Sequence, residues 1–120
     1  MSTPVDYSTK QISLSTTMYI LNTSFHIDHA HFSRAVDFVK QQLIPALTES
    51  GVVTDPLLLE LLIDVDPAMR SFSLQLHTAD IEQAAELLDA KGQPLIAELI
   101  KSCGGPEHAV TFTTPMQIID

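Results

Sequence analysis

The chain is 120 residues and 13.2 kDa, the size of one ordinary domain with no room for a second. Apolar residues make up 45%, enough for a core, while 15 acidic side chains against 6 basic ones give a formal net charge of -9. That balance argues against a nucleic-acid surface, which needs clustered Lys and Arg, and against docking on anionic lipid.

Residues 1–17, MSTPVDYSTKQISLSTT, are rich in Ser and Thr and bury too little to offset the entropy of ordering them, so they read as a flexible tail. Ile12 and Leu14 alternate with Ser13 and Ser15, which makes a short edge strand the other reading. The segment has neither the basic start nor the apolar stretch of a signal peptide. No apolar run approaches the roughly 20 residues of a membrane span. Cys103 is the only cysteine, so no intrachain disulfide framework or Cys-based zinc cluster is available, and a reducing, cytoplasmic location is expected.

From Met18 to Ile27 the chain reads as a strand, with Tyr19, Leu21, Phe25 and Ile27 on one side and Ile20, Asn22, Ser24 and His26 on the other. Asp28 is a good N-cap for a helix whose stripe is Phe32, Ala35, Val36, Val39 and Leu43. Pro45 predicts a kink or restart, and Gly51 a stop. In LLLELLIDV, residues 57–65, Asp55-Pro56 suits a helix start. The unbroken alternation of Leu57, Leu59, Leu61, Ile63 and Val65 favours a strand instead. SFSLQLH follows with Phe72, Leu74 and Leu76 on one side, so the two strands form a hairpin around Asp66-Pro67-Ala68-Met69. A second helix opens at Asp80 with Gln83 as capping partner and carries Ile81, Ala84, Ala85 and Leu88. It breaks at Gly92-Gln93-Pro94 and resumes through Leu95, Ile96, Leu99 and Ile100 to Cys103. The last strand covers roughly residues 108 to 119, with Val110 and Phe112 opposite Ala109, Thr111 and Thr113.

The order βαββαβ predicts an α+β, ferredoxin-like fold over residues 18–120: a four-stranded antiparallel sheet with two helices on one face. Parity places Leu21, Phe25, Phe72, Leu74, Leu76, Val110 and Phe112 under the helices. The open face is expected to carry Ile20, Asn22, Ser24, His26, Ser71, Ser73, Gln75, His77, Thr111 and Thr113, joined by Leu58, Glu60 and Leu62 from the second strand. Such a face is too apolar at one edge for water and too polar at its middle for a dry core. Pairing two copies hides it, so a homodimer is expected, with a monomer partly covered by its own tail strand as the competitor.

The candidate site is the polar strip of that face: Asn22, Ser24, His26, Ser73, Gln75, His77 and Thr111. A neutral imidazole both donates and accepts a proton, so His26 or His77 is weighed as an acid/base in a cleft, against polar groups that satisfy one another across a dimer interface. The two histidines fall near opposite ends of antiparallel strands and do not form a pair. His26, Asp28, His29, His31 and His108 offer metal-ligand types near one sheet edge. However, no His-x-x-x-His spacing occurs, His29 and His31 point apart, the helix N-terminus disfavours a cation, and Asp28 serves as a cap. No metal and no cofactor is expected. Cys103 sits on an apolar stripe at a helix C-terminus and reads as core. Glu60 is placed on the open face between leucines, buried by the dimer or guarding a sheet edge, and Arg70 is expected to pair with Asp64 or Asp66. No phosphate-cradling loop, nucleophile elbow or dinucleotide fingerprint occurs.

The segments MYILNTSFHID, QQLIPALTESG, RSFSLQLH and PLIAELIKSCGGPEHAVTFTTPMQIID resemble a small family of uncharacterised bacterial proteins, of the domain of unknown function 4286 type. The resemblance covers about residues 18 to 120. It implies a ferredoxin-like fold and carries no established activity. More widely the chain looks like the dimeric α+β barrel group, in which two such sheets close face to face, and which includes cofactor-free monooxygenases, isomerases and haem-binding enzymes. The function expected is a ligand-binding or protein-interaction module using the open face, with a small molecule or a protein as partner. The alternative is a small cofactor-free enzyme of monooxygenase or isomerase type, with a His acid/base in the dimer cleft. A docking surface for a basic protein ranks third.

Overall fold

The computed structural model describes residues 18–63 and 66–119. The strand weighed over Ile12 and Leu14 lies outside them. Strand β1 (Tyr19–Asp28) leads into helix α1 (29–48), then strands β2 (Thr54–Glu60) and β3 (Met69–Thr78), helix α2 (81–102) and strand β4 (Ala109–Gln117). The sheet order is β2-β3-β1-β4 with every neighbour antiparallel, so the fold is α+β and ferredoxin-like, as the chain order predicts.

Strands β1 and β3 form the middle of the sheet, and their alternation is what places the core. Leu21, Phe25 and Ile27 from β1 and Phe72, Leu74 and Leu76 from β3 are buried under the helices. Phe25 and Phe72 face each other in register with rings stacked at 4.6 Å, and Phe32 of α1 meets Phe72 edge-on at 5.6 Å. Cys103 is fully buried in this core, and burial pushes its thiol pKa up, as suits packing rather than reactivity.

Both helices begin on an aspartate. Asp28 Oδ1 accepts the His31 N–H at 3.1 Å and Asp80 Oδ1 accepts the Gln83 N–H at 3.0 Å. Neither helix breaks at its proline. Each widens into a π turn, Val39–Leu43 in α1 and Leu88–Gly92 in α2, and returns to α geometry with Pro45 or Pro94 in the first turn that follows. The altered hydrogen-bond register absorbs the N–H that proline lacks, so each helix runs on where a kink or restart at Pro45 and a break at Gly92-Gln93-Pro94 were expected. Gly92 is buried at this turn, and a Cβ there would lie 2.5 Å from Leu88 Cδ1 and 3.3 Å from Leu47 Cδ2 of α1. Close helix approach is why the position has no side chain. After α2 the chain turns on Gly104 and Gly105, both at positive φ, with the Gly105 N–H reaching back to Ile100 O at 2.9 Å.

The edge strands correct the expected faces. Residues opposite one another in the sheet share a face. Strand β2 starts at Thr54, earlier than expected, and bulges between Thr54 and Leu57, with Asp55 in the left-handed region at φ 53°. Leu58 therefore pairs with Leu74 and Glu60 with Phe72 on the helix side, while Leu57 and Leu59 join Gln75 and Ser73 on the open face. Leu62 lies beyond the strand and is 92% exposed. Strand β4 is likewise inverted: Val110 pairs with His26 and Phe112 with Ser24 on the open face, whereas Thr111 and Thr113 oppose Phe25 and Thr23. The physical reason is that both faces of these strands carry apolar groups, so parity is decided by bulge and turn register rather than by hydrophobicity.

Candidate functional site

Six of the seven candidate side chains lie together on the open face. Across β1 and β3, Asn22 opposes Gln75, Ser24 opposes Ser73 and His26 opposes Ser71, while His77 opposes Ile20 at the far end. Thr111 does not belong to this strip: it faces the helix side opposite Phe25, and its neighbour Thr113 shares a 2.9 Å hydroxyl contact with the buried Thr23. Ser71, which the open-face pattern includes, is buried beside His26.

The strip is built from short polar groups. Asn22 Nδ2 donates to Ser24 Oγ at 3.3 Å, and His26 Nδ1 and Ser71 Oγ share a hydrogen bond of 2.6 Å. His26 also stacks on Phe112 with ring centroids 5.5 Å apart, which holds the imidazole flat against β4. A groove of about 230 Å³ opens here between His26, Ser71, Met69, Asp66 and Val110. At the other end His77 Nδ1 is buried without a hydrogen-bond partner among the described residues. His26 and His77 are separated by the length of the strip, since their partners on the opposite strand are Ser71 and Ile20.

Apolar side chains line both sides of the strip. Leu57 and Leu59 on β2, with Leu61 just beyond, are 47%, 41% and 44% exposed, and on β4 Val110 and Phe112 are 45% and 54% exposed. Between these borders, Ile20 to His26, Ser71 to His77, Leu57 to Leu59 and Val110 to Met116 place no Lys, Arg, Asp or Glu on the open side. In a chain with 15 acidic residues this is a pronounced depletion, and charge depletion marks the centre of interfaces.

The histidine cluster at the sheet end is organised around Asp28. Asp28 accepts His31 Nδ1 at 2.6 Å and His108 Nδ1 at 2.8 Å, and the Asp28 backbone N–H donates to His108 O at 2.9 Å. Partial burial opposes ionisation of Asp28, but the hydrogen bonds from His31 and His108 outweigh it and hold its carboxyl below the ordinary carboxylate range. His29 turns away to the Pro67 carbonyl at 3.0 Å. The carboxylate thus ties β1, α1 and the start of β4 together. The approach of His108 from 80 positions away carries no local sequence signal. Arg70 pairs with Glu60 at 2.8 Å, rather than with an aspartate of the hairpin turn, and its guanidinium lies 3.7 Å above the Phe32 ring. No helix among the described residues is long and apolar enough to cross a membrane.

The geometry is that of a ferredoxin-like α+β domain with one sheet face that no described helix covers. The family profile of the domain of unknown function DUF4286 matches residues 18–119, and the chain belongs to that family. Among solved structures it is similar to two dimeric ferredoxin-like proteins from an uncultured marine organism. One is 12% identical, with 87% of this chain and 97% of that one covered at TM-score 0.58. The other is 10% identical, with 91% and 95% covered at TM-score 0.57. A de novo designed protein, Foldit4, is 11% identical over 85% of this chain and 99% of its own, at TM-score 0.50. No curated protein matches the chain.

Proposed function

We propose that the protein is a homodimeric ligand-binding module, in which two open sheet faces close on each other and the polar strips enclose a small-molecule site. The observation that supports this most is the layout of the face, where short polar side chains run down the centre between two apolar, charge-free borders. Leu57, Leu59, Val110 and Phe112 supply apolar area to bury against a second copy, while Ser24, Ser71 and Ser73 are too short to meet across the roughly 10 Å between packed sheets. Four strands at about 4.8 Å spacing and about 3.3 Å per residue present a face of about 600 Å2 over ten residues. That approaches the roughly 800 Å2 per partner of a stable interface. Edge-to-edge growth is disfavoured because both edge strands carry a proline, Pro56 in β2 and Pro115 in β4. Two neighbours of the same fold are described as dimeric ferredoxin-like proteins.

The enzyme reading has less behind it. His26 spends Nδ1 on Ser71, and Asp28, the carboxylate nearest in sequence, is engaged by His31 and His108. Among the described residues His26 has no carboxylate hydrogen bond to orient and activate it. Light scattering on eluting protein tests the assembly. The expected mass is twice 13.2 kDa for the native chain, and Leu59→Asp or Phe112→Asp is expected to give a folded monomer with unchanged far-ultraviolet circular dichroism. A native monomer at micromolar concentration refutes the dimer.

A further inference from the structure

We infer that the ligand held between the two faces is an uncharged, flat molecule bearing a carboxamide-like edge; this rests on the dimeric reading above and names the chemical class that such a site accepts. The first ground is charge. No Lys, Arg, Asp or Glu of the described strands points onto the open side between Ile20 and His26 or between Ser71 and His77. A carboxylate or phosphate buried at the Asn22–Gln75 and Ser24–Ser73 pairs would have no countercharge from these strands, and neither would an ammonium or amidinium group; the Asp66 carboxylate lines the groove at the His26 end of the face. Leaving an ion unpaired out of water costs several kcal/mol. The chain's net charge of -9 further repels anions before they arrive.

The second ground is the hydrogen-bonding set. Asn22 and Gln75 stand opposite each other across β1 and β3, and each amide offers both a donor and an acceptor. Asn22 commits one donor to Ser24, and no side-chain hydrogen bond joins Gln75 to another described residue. Two facing amides match a group that itself presents N–H and C=O side by side. The third ground is shape. The cross-strand pair Ser24 and Ser73 forms a low floor beside the amides, while Leu59 and Phe112, on the outer strands opposite these serines, rise on either side. A slot with short side chains along its floor and tall apolar walls takes a thin ring in preference to a globular group.

Three isosteric probes separate these grounds: benzamide, benzoate and benzamidine share a ring and differ in charge. Each is titrated into the native protein while backbone and side-chain amide resonances are followed by NMR. Benzamide is expected to give saturable shifts centred on Asn22, Gln75, Ser24 and Ser73. Benzoate and benzamidine are expected to bind at least tenfold more weakly, since tenfold corresponds to only about 1.4 kcal/mol of the unpaired-ion penalty. Ser73→Leu fills the slot and is expected to abolish the benzamide shifts while leaving the dimer mass unchanged. A charged isostere that binds as tightly as benzamide overturns the inference, as does benzamide that fails to saturate by about ten millimolar. Light scattering on the same samples keeps the two ideas apart: a dimer without benzamide binding defeats the ligand class alone, and a monomer defeats the assembly.

Discussion

Asp28 combines three roles in one side chain: helix cap, anchor for His31 and anchor for His108. Asn caps nearly as well as Asp, so Asp28→Asn isolates the part that depends on ionisation. Because its carboxyl titrates below the ordinary value, the stability it contributes is fully present above about pH 4 and is lost as pH falls through the lowered folded value. The melting-temperature difference between wild type and Asp28→Asn is therefore expected to shrink on acidification below pH 4. A difference still undiminished at pH 2 refutes the assignment. Arg70 makes a second residue-scale case. An exposed ion pair contributes about 0–1 kcal/mol and a guanidinium over an aromatic face about 0.5–1. Arg70→Ala is thus expected to lose about 1 kcal/mol in urea unfolding and Glu60→Gln distinctly less, because only the former removes the contact with Phe32. The Asp28 cap is visible in the sequence, and chain order already brings His108 to the same sheet edge; the hydrogen bond between them is not legible, since it is set by how β4 returns beside β1.

At the scale of elements, the central strands were legible and the edge strands were not. In β1 and β3 the apolar and polar sets separate cleanly, and parity correctly sends Leu21, Phe25, Phe72, Leu74 and Leu76 inward. In β2 both sets contain leucine, and in β4 Val110 and Phe112 read as core although they face the side away from the helices. Alternation identifies the covered face only when the other face meets water, and here the other face is itself suited to burial. The helices show a similar limit: Pro45 and Gly92-Gln93-Pro94 announce a disturbance, but whether it becomes a kink, a break or a π turn depends on packing around the turn. Gly92→Ala probes the packing around the turn in α2. Overpacking costs about 1–3 kcal/mol and the helical gain over Gly returns about 1, so a net loss of about 1 kcal/mol is expected. In a Leu88→Ala background the 2.5 Å contact is gone and only the 3.3 Å approach to Leu47 remains, so the same substitution is expected to cost distinctly less or be neutral. Equal effects in both backgrounds refute a contact between Gly92 and Leu88 as the cause.

For the whole molecule, charge is arranged by exclusion. Fifteen acidic residues are spread over a chain in which the described strands place none on the open face between its borders, so in the proposed dimer the net charge of -9 opposes association everywhere except at that apolar area. Two copies of like charge repel, and salt screens that repulsion over a Debye length of about 10 Å at 0.1 M. The dimer is therefore expected to tighten as sodium chloride rises from 0.05 to 0.5 M, measured by sedimentation equilibrium. Weakening with salt points instead to a contact made by opposite charges, as docking of a basic partner would be.

Chain order, helix caps and the alternation of the two central strands follow from local chemistry, and they suffice for the βαββαβ fold and for most of the polar strip. Register in the outer strands, the removal of Thr111 from the strip, the arrival of Phe112 beside His26 and the closure of Asp28 by His108 were decided by tertiary structure. The reason is common to all four. Each depends on how a bulge or turn sets one strand against another, and a slip of one residue there exchanges the two faces while leaving the local pattern equally acceptable.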